Sequence, residues 1–393
     1  MRSNETFDVV VAGGGPAGSA AAIVLARAGQ RVLLAEAVSS VPFKVGESLP
    51  PSARPLLRDL GLASRVKAAG HLPCPGTVAV WGDDQPAEHD FIREIHGSGW
   101  HLDRPRFDAD LRAAAVEAGA EVRLDCSFAR GWQSTSTCAW ELQFLRRGEM
   151  LRVSASWVID ATGRRALIAN HCGATSQRDD ALVAFCTVVP AAGGGHDART
   201  FIESDRDGWW YSALLPGGKR LLAFFTDDDL SAAHEITAAG EFARRLAATR
   251  QLRHTVGEPA LAVIGRVRRF PAGSVSRRSF GGAGWLAVGD AALAFDPLSS
   301  QGIFHALYTG LRGAQTVIAA KEGDPAALPA WHERLHSIHA AYRRHHAQCY
   351  SAETRWPDAP FWQRRHAGSP DGPPSVSAGD FTSSVHVQLV SLP

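Results

Sequence analysis

The sequence of 393 residues has no excess of charge of either sign and no long hydrophobic run. Lysine and arginine total 41 against 40 for aspartate and glutamate, which gives a net charge of +1. This balance argues against a nucleic-acid binder that works through a broad basic face. The apolar stretch Ala20–Ala28 is too short to span a bilayer, and Met1–Thr6 does not have the pattern of a signal peptide. We therefore expect a soluble cytoplasmic protein without a membrane span.

Cysteine is scarce as well. The six cysteines are scattered without a C-x-x-C pair, which argues against a structural zinc site or a disulfide framework and fits a reducing compartment. His332, His336 and His339 have a spacing that can hold a metal, but arginines accompany them and no cysteine or carboxylate cluster does. We interpret this face as solvated and basic, and we predict no metal site.

What the sequence does contain is a βαβ unit at its start. Phe7–Ala12 is typical of a buried strand, Ser19–Ala28 of a helix and Arg31–Ala35 of a second strand, and G-x-G-x-x-G fills the first turn. Glu36 follows the second strand, 18 residues after Gly18. The order of strand, glycine turn, helix, strand and acid predicts a Rossmann-like dinucleotide site.

Each residue of the turn has an expected role. Gly13 makes the tight turn, Gly15 lets the backbone approach a pyrophosphate and Gly18 lets the helix pack closely on the strand. Glu36 is placed to accept hydrogen bonds from ribose hydroxyls. The helix start adds free N–H groups and a positive dipole end for the phosphates, so the predicted cofactor-binding residues here are Gly13, Gly15, Pro16, Ala17, Gly18 and Glu36.

A second motif comes late in the chain. Trp285–Asp290 is typical of a buried strand that ends in an acid, and Asp296-Pro297 then leads into a helix that begins near Gly302. The acid at the strand tip can accept hydrogen bonds from the hydroxyls of a polyol chain. The helix N-terminus can stabilise a second negative charge.

With these motifs the chain resembles the flavoproteins of the para-hydroxybenzoate-hydroxylase superfamily, over roughly residues 5–366. The matches are Gly13–Gly18 with Glu36, the segment Asp160–Gly163, and Gly289-Asp290 with Asp296-Pro297. The resemblance implies FAD as cofactor, held between the first βαβ unit and the late motif. It also implies further cofactor contacts from Arg104, Asp290, Pro297, Gly302 and Ile303.

Within the superfamily the chain is most similar to the tryptophan-halogenase-like branch. Gly46-Glu47-Ser48 matches its G-E-[AS] signature, which implies that Glu47 contacts FAD. More narrowly, four stretches are similar to the flavoproteins that mature cysteine-tryptophylquinone amine oxidases, the lysine and glycine oxidases, by acting on tryptophan of a partner protein. These stretches are GESLPPSA (46–53), GWHLDRPRFD (99–108), GWWYSALLP (208–216) and DPLSSQG (296–302).

Two departures from the halogenase pattern disfavour halogenation. The stretch Cys74–Trp81 contains no lysine where the resemblance implies a catalytic one, and Lys67 comes earlier in the chain. The W-x-W-x-I-P signature becomes WWYSALLP at 209–216, so its spacing is not met.

The resemblance therefore implies an FAD-dependent oxidoreductase, most simply a monooxygenase that oxidises an indole- or phenol-like group through a flavin hydroperoxide. One alternative is a flavoenzyme that modifies tryptophan of a partner amine oxidase, and another is a reductase of the geranylgeranyl-reductase type. No second G-x-G-x-x-G is present, but the superfamily often binds nicotinamide transiently without one, so this absence does not decide the electron donor. NAD(P)H and a separate flavin reductase both stay open as donors.

No catalytic residue is evident from sequence. Trp209, Trp210 and Tyr211 are candidates for the pocket wall, with ordinary core packing as the equal alternative. Alternation along a strand puts Trp209 and Tyr211 on one face and Trp210 on the other. His101 is a candidate acid or base, and a structural histidine with both nitrogens bonded is the more common case.

The predicted fold class is α/β, with a discontinuous Rossmann-like FAD-binding domain, an inserted antiparallel-sheet substrate domain and a C-terminal helical segment. The FAD-binding domain is predicted at 5–74, 99–172 and 266–325, and the substrate domain at 75–98 and 173–265, with one helix over about 238–249. Helices are predicted over 326–366 and a disordered tail over 367–393.

Overall fold

The structure, a computed structural model, describes residues 5–40, 43–91, 95–134, 138–191, 197–238 and 240–367. The predicted tail, apart from Ala367, lies outside these residues. The strands in chain order are β1 (Glu5–Ala12), β2 (Val32–Ala35), β3 (Ser48–Leu49), β4 (Leu72–Cys74), β5 (Gly76–Val80), β6 (Ala87–Asp90), β7 (Gly99–His101), β8 (Glu121–Arg123), β9 (Cys126–Gln133), β10 (Trp140–Arg146), β11 (Glu149–Asp160), β12 (Ser176–Arg178), β13 (Leu182–Pro190), β14 (Thr200–Asp205), β15 (Gly208–Leu215), β16 (Lys219–Asp227), β17 (Arg268–Pro271), β18 (Val275–Arg277), β19 (Gly281–Gly282) and β20 (Trp285–Ala287).

Helices are interspersed among these strands, and the last three elements of the chain are all helices. They are α1 (Pro16–Arg27), α2 (Ala53–Asp59), α3 (Ala63–Ala68), α4 (Arg104–Glu117), α5 (Leu167–His171), α6 (Ser231–Glu235), α7 (Glu241–Ala247), α8 (Leu252–Val256), α9 (Glu258–Leu261), α10 (Gly302–Lys321), α11 (Ala327–Ser351) and α12 (Pro360–His366). Among helices in the described part of the chain, none has the length and apolar character that a membrane crossing needs.

The larger sheet is parallel at its centre. β1 lies between β2 and β11, β8 extends the sheet beyond β2, and β20 extends it beyond β11. The carboxyl ends of these parallel strands meet at one edge, which is where open α/β sheets bind ligands. α1 packs tightly on α10 beside this edge, since a Cβ added at Gly310 would lie 2.2 Å from the Ala17 carbonyl oxygen.

The second sheet has seven strands in the order β17-β13-β16-β15-β14-β5-β6, antiparallel except for the β14–β5 pair. One face packs against α6, α7, α8 and α9, and the other packs partly against α11 and α12. β17 pairs with β13 and so belongs to this sheet, although its residues come after position 265, where the substrate domain was predicted to end. In the region predicted as one helix over 238–249, the described residues form α7, and α6, α8 and α9 flank it.

The α/β class with an antiparallel second sheet and C-terminal helices is confirmed. The exact division into domains stays a prediction.

The face of α11 that carries three histidines is less solvated than we expected. His332 and His336 contact the ring of Phe280, at centroid distances of 5.9 and 5.0 Å, and His339 lies 3.5 Å from the Asp179 carboxylate. Of the three histidines, His336 alone is exposed.

Candidate cofactor and substrate site

A cavity of about 720 Å³ lies between the carboxyl edge of the parallel sheet and the apolar face of the seven-stranded sheet. Its volume is in the range of cofactor and small-molecule sites. Of the predicted cofactor-binding residues, those that line it are Gly13, Gly15, Pro16, Ala17, Glu36, Glu47, Arg104, Asp290, Pro297, Gly302 and Ile303. Gly18 lies in the first turn of α1 and is not part of the lining.

The three glycines of the first turn differ in what surrounds them. A Cβ at Gly13, where φ is +107°, would lie 2.1 Å from the Ala161 carbonyl oxygen, and a Cβ at Gly18 would lie 1.8 Å from the Gly13 carbonyl oxygen. These two positions are glycine because the chain packs against itself there. A Cβ at Gly15 would meet nothing closer than Lys44 Nζ at 3.9 Å. Packing within the protein therefore does not explain Gly15, which borders open cavity at the start of α1.

Glu36 is held beside this turn. Its Oε2 accepts a hydrogen bond from the Gly14 N–H at 2.5 Å, and its Oε1 accepts one from the Val38 N–H at 3.2 Å. Arg112 donates to the Gly14 carbonyl oxygen at 3.2 Å from the other side. These contacts orient the carboxylate at the tip of β2, where it lines the cavity.

The loop before β3 brings Lys44 and Glu47 to the cavity wall, and Arg104 at the start of α4 lies beside them. Arg104 is buried, pairs with Asp108 at 3.1 Å, and donates to the carbonyl oxygens of Val45 and Gly46. Lys44 Nζ lies 2.7 Å from Asp108. Burial alone would raise the pKa of Asp108, but the charges of Arg104 and Lys44 lower it, so the carboxylate stays ionised. Arg104 therefore fixes the loop that presents Glu47.

The late motif forms the opposite wall. Asp290 lies 3.7 Å from Arg164, whose guanidinium also donates to the carbonyl oxygens of Ala272, Gly273 and Phe295. Pro297 opens a short 3-10 helix, and Ser300 follows it with φ of +51°. This turn places the N-terminus of α10 at the cavity, where Gly302 and Ile303 line it.

Asp296 connects this turn to the C-terminal helices. Its Oδ1 accepts from the Leu298 N–H at 2.8 Å, and its Oδ2 accepts from Tyr350 Oη at 2.8 Å and lies 3.2 Å from His346 Nε2. Burial alone would raise the pKa of Asp296, but hydrogen bonding to His346 lowers it. Asp180, Asp296 and His346 offer ligand atoms within 4.8 Å of one another, yet these contacts account for both Asp296 oxygens. Asp296 is thus a structural acid that anchors α11 to the cavity wall.

The far end of the cavity is apolar. The seven-stranded sheet contributes one face of small and apolar side chains, and four aromatic rings lie at its borders. These lining residues are Ala184, Cys186, Leu221, Ala223 and Ala272, with Tyr211, Phe225, Phe270 and Phe295. An aromatic ligand suits such a wall.

Comparison with known proteins decides what the glycine-lined end binds. A family model described as an FAD binding domain matches residues 6–324, more than three quarters of the chain. The chain belongs to this FAD-binding family.

Individual relatives agree with this assignment. The FAD-dependent oxidoreductase LodB of Marinomonas mediterranea is 30% identical over 374 residues, covering 93% of this chain and 98% of LodB. The flavin-dependent halogenase armH3 of Armillaria mellea is 28% identical over 366 residues, covering 86% of this chain and 72% of the halogenase. The solved structure of QhpG, a peptidyl tryptophan dihydroxylase essential for tryptophylquinone cofactor biogenesis, is 26% identical with a TM-score of 0.75, covering 93% of this chain and 80% of QhpG. The chain is therefore an FAD-dependent oxidoreductase.

The cavity fits FAD on its own geometry. The open cradle at Gly15 leaves room for a pyrophosphate at the N-terminus of α1, and Glu36 lies one strand away for the ribose. On the opposite wall, Asp290 and the N-terminus of α10 face the same space. The individual contacts of these residues with FAD remain predictions.

The aromatic pocket candidates divide. Tyr211 lines the cavity, whereas Trp209 and Trp210 do not. The ring of Trp209 stacks on the ring of Phe225 at a centroid distance of 3.9 Å, and it is Phe225 that lines the cavity there. The Nε1 of Trp209 donates to Tyr350 Oη at 3.0 Å. Trp210 lies on the opposite face of β15, buried against the helices α6, α7, α8 and α9. Of the two alternatives left open for this cluster, Trp209 and Trp210 take core packing and Tyr211 lies at the cavity wall.

His101 does not line the cavity either. It is fully buried, its Nδ1 donates to the Leu214 carbonyl oxygen at 2.8 Å, and its Nε2 lies 2.9 Å from Thr200 Oγ1. Burial lowers the pKa of His101 to about 4, so the ring is neutral at pH 7. His101 is thus a buried histidine whose two ring nitrogens both contact the protein, which is the structural alternative.

Lys44 is a candidate site residue that the sequence reasoning missed. Its Nζ lies 3.9 Å from the position that a Cβ at Gly15 would take. The only signal in the sequence was a single basic residue shortly before the G-E-S motif. We infer that Lys44 supplies positive charge to the pyrophosphate of bound FAD.

Replacement of Lys44 by methionine should weaken FAD binding modestly, because the side chain is part-exposed and shares its charge with Asp108. We expect the dissociation constant to rise about 3- to 10-fold, on the order of 1 kcal/mol. Fluorescence titration of the apoprotein with FAD at low and high salt measures this effect. The exposed Lys67→Met is the matched control, and equal affinity of the two variants would remove Lys44 from the site.

Proposed function

We propose that this oxidoreductase is a monooxygenase that oxidises an electron-rich aromatic group, indole- or phenol-like, beside bound FAD. The observation that carries the proposal is the continuity of the cavity from the glycine cradle to an apolar wall with aromatic borders. Bound FAD would supply redox chemistry with O₂, using electrons from NAD(P)H or a separate flavin reductase. The protein's part is to hold the ring and to exclude water, since water promotes unproductive release of peroxide.

The walls serve these two tasks with different residues. Leu221, Ala223 and Phe225 occupy alternate positions of β16 and therefore present one apolar surface to the cavity. Phe270 closes the border of this surface and contacts the ring of Phe43 at 6.0 Å. A planar ring bound here would be desolvated on the sheet side while its other face stays directed toward the cofactor end.

A lysine in the apolar end would favour halogenation, and the structure places none there. The four lysines of the sequence are Lys44, Lys67, Lys219 and Lys321. Of these, Lys44 lines the cavity, and it is paired with Asp108 beside the Gly15 cradle. Halogenases are among the relatives, so the assay must include halide.

A second candidate is the same oxidation carried out on tryptophan of a partner polypeptide. It is favoured by the similarity to QhpG, whose name describes a peptidyl tryptophan dihydroxylase. It differs from the first candidate in substrate size and not in chemistry. Tryptophan-containing peptides therefore belong in the substrate panel.

The test is turnover of the FAD-loaded protein with a reductant, halide, isotopically labelled O₂ and a panel of indoles, phenols and tryptophan peptides. We expect a product that carries label from O₂ and no halogen. A halogenated product would assign the chain to the halogenases. Reduction of an isoprenoid C=C bond without O₂, with slow reoxidation of the flavin by O₂, would instead support the reductase alternative.

A further inference from the structure

The seven-stranded sheet ends at β17, and this edge of the sheet lies at the cavity. Among the strands that the described residues form, β17 pairs with β13 alone. Phe270 and Pro271 of β17 line the cavity, and so does Ala272, which follows them. The strand at the opposite edge, β6, contributes no residue to the lining. The β17 edge therefore brings the outer side of a strand directly to the site.

The backbone of β17 has hydrogen-bonding groups along this outer side. The Ala272 N–H donates to the Leu182 carbonyl oxygen at 3.0 Å, so these two residues form a hydrogen-bonded pair of the antiparallel ladder. Since such pairs alternate along the ladder, the N–H and C=O groups of Val267 and Arg269 and the C=O of Pro271 are directed away from β13. No other strand of the described chain pairs with them. Outward groups of this kind can pair with an additional strand.

The side chains of the same edge are basic. Arg266, Arg268 and Arg269 are all exposed. Among the ion pairs of the described residues, these three arginines take part in one, between Arg269 and Asp228. Charged residues on an edge strand discourage indiscriminate pairing. A strand that carries acids opposite these arginines would instead be attracted to the edge.

The cavity border continues outward from β17 through an aromatic ring and a guanidinium. The rings of Phe270 and Phe43 contact each other at a centroid distance of 6.0 Å, and the Arg268 guanidinium lies over the Phe43 ring at 5.1 Å. Because side chains alternate along a strand, Phe270 and Arg268 lie on one face of β17. A strand added beside β17 places every second side chain on this face. An aromatic residue opposite Phe270 then has an acid opposite Arg268 if the acid is two positions away.

We propose that β17 is the docking edge for an extended, acidic segment of a partner polypeptide, which pairs with β17 as an additional strand and directs an aromatic side chain past Phe270 into the cavity. This inference rests on the proposed function in its second form, oxidation of a tryptophan in a polypeptide, and adds where that polypeptide binds. Backbone pairing and the arginines supply affinity for the segment. The apolar end of the cavity receives the ring.

The experiment measures binding of labelled peptides to the oxidised, FAD-loaded protein by fluorescence anisotropy. The probe is the peptide TDVWVDT, whose acids share a strand face with its tryptophan. The comparison peptides are TKVWVKT and TDVWVDT with N-methyl groups on both valines, whose N–H groups would face Arg269 and Pro271. We expect each comparison peptide to bind at least about 10-fold more weakly at low salt, and added salt to weaken binding of the acidic peptide.

Charge reversal on the strand tests the arginines. Arg266→Glu combined with Arg268→Glu should remove the preference for TDVWVDT over TKVWVKT or reverse it. Arg266→Glu alone keeps the contact between Arg268 and Phe43 and should reduce the preference about 3-fold. The matched control is Arg147→Glu, because Arg147 is 76% exposed and lies between β10 and β11 of the other sheet. The control should keep the wild-type preference, and FAD content and melting temperature are measured for every variant.

Three results would overturn the inference. Equal binding of the acidic and lysine peptides removes the role of the arginines, and acidic binding that N-methylation does not weaken removes the added strand. The exposed side chains Glu88 and Asp90 make β6 an acidic edge. Self-association in sedimentation that charge reversal on β17 prevents would therefore assign this edge to a second copy of the chain.

The proposed function is tested separately by product analysis with free indoles and phenols. A protein that oxidises these rings but shows none of the expected peptide preferences keeps the proposed function and loses the docking edge. A protein that binds TDVWVDT as expected but oxidises no aromatic group keeps the docking edge and loses the proposed function.

Discussion

Replacement of Gly15 by valine should give a folded protein that no longer binds FAD. The added Cβ would meet no protein atom closer than 3.9 Å, and φ at Gly15 is −78°, so the substitution does not strain the backbone. The two methyl groups would instead occupy the space at the N-terminus of α1 that a pyrophosphate requires. We expect the affinity for FAD to fall at least about 100-fold, on the order of 3 kcal/mol.

The visible absorbance of the purified protein and its reconstitution with added FAD measure this loss. Gly18→Val is the matched comparison, because its Cβ would lie 1.8 Å from the Gly13 carbonyl oxygen. That variant should fail to fold, whereas Gly15→Val should melt close to the wild-type apoprotein. A yellow Gly15→Val protein with normal FAD content would show that the phosphates bind elsewhere.

Truncation of Trp210 to alanine should destabilise the protein by about 3–5 kcal/mol, the usual cost of removing a large buried aromatic. Trp210 is fully buried and packs against Phe224 and Phe242, at centroid distances of 4.8 and 5.0 Å. It lies on the face of β15 that the cavity does not touch. FAD binding should therefore persist up to the unfolding transition.

Denaturant unfolding monitored by circular dichroism and by flavin fluorescence separates the two effects. Trp132→Ala is the control, because that side chain is 46% exposed and its loss should change stability by no more than about 0.5 kcal/mol. A Trp210→Ala protein of normal stability that binds FAD poorly would place the tryptophan at the site after all.

The cofactor end of the site was largely predictable from the sequence, because its determinants are local. The strand, glycine turn and helix at Phe7–Ala28 follow from residues adjacent in the chain, and so does the helix that begins at Gly302. Family membership then confirms FAD as the ligand. What sequence could not supply was Lys44, whose nearness to Gly15 depends on how the loop after Glu36 folds back.

The substrate end was only half predictable. Alternation along β15 predicts that Trp209 and Tyr211 lie on one face of the strand and Trp210 on the other. It does not predict which parts of the chain pack against each face. Tyr350 on α11 packs on the side of Trp209 and Phe242 on α7 packs on the side of Trp210, and both residues are distant in sequence from Gly208–Leu215. His101 was ambiguous for the same reason, since its partners Thr200 and Leu214 lie about a hundred residues away.

The link from Asp296 through Tyr350 to Trp209 has a consequence for biosynthesis. The first βαβ unit emerges from the ribosome early, yet the wall opposite it requires α10, and that wall is anchored by residues near the end of α11. Such long-range contacts form slowly and late. We therefore expect that a nascent chain exposes its glycine cradle before it can retain a flavin, and that cofactor loading follows translation of Tyr350.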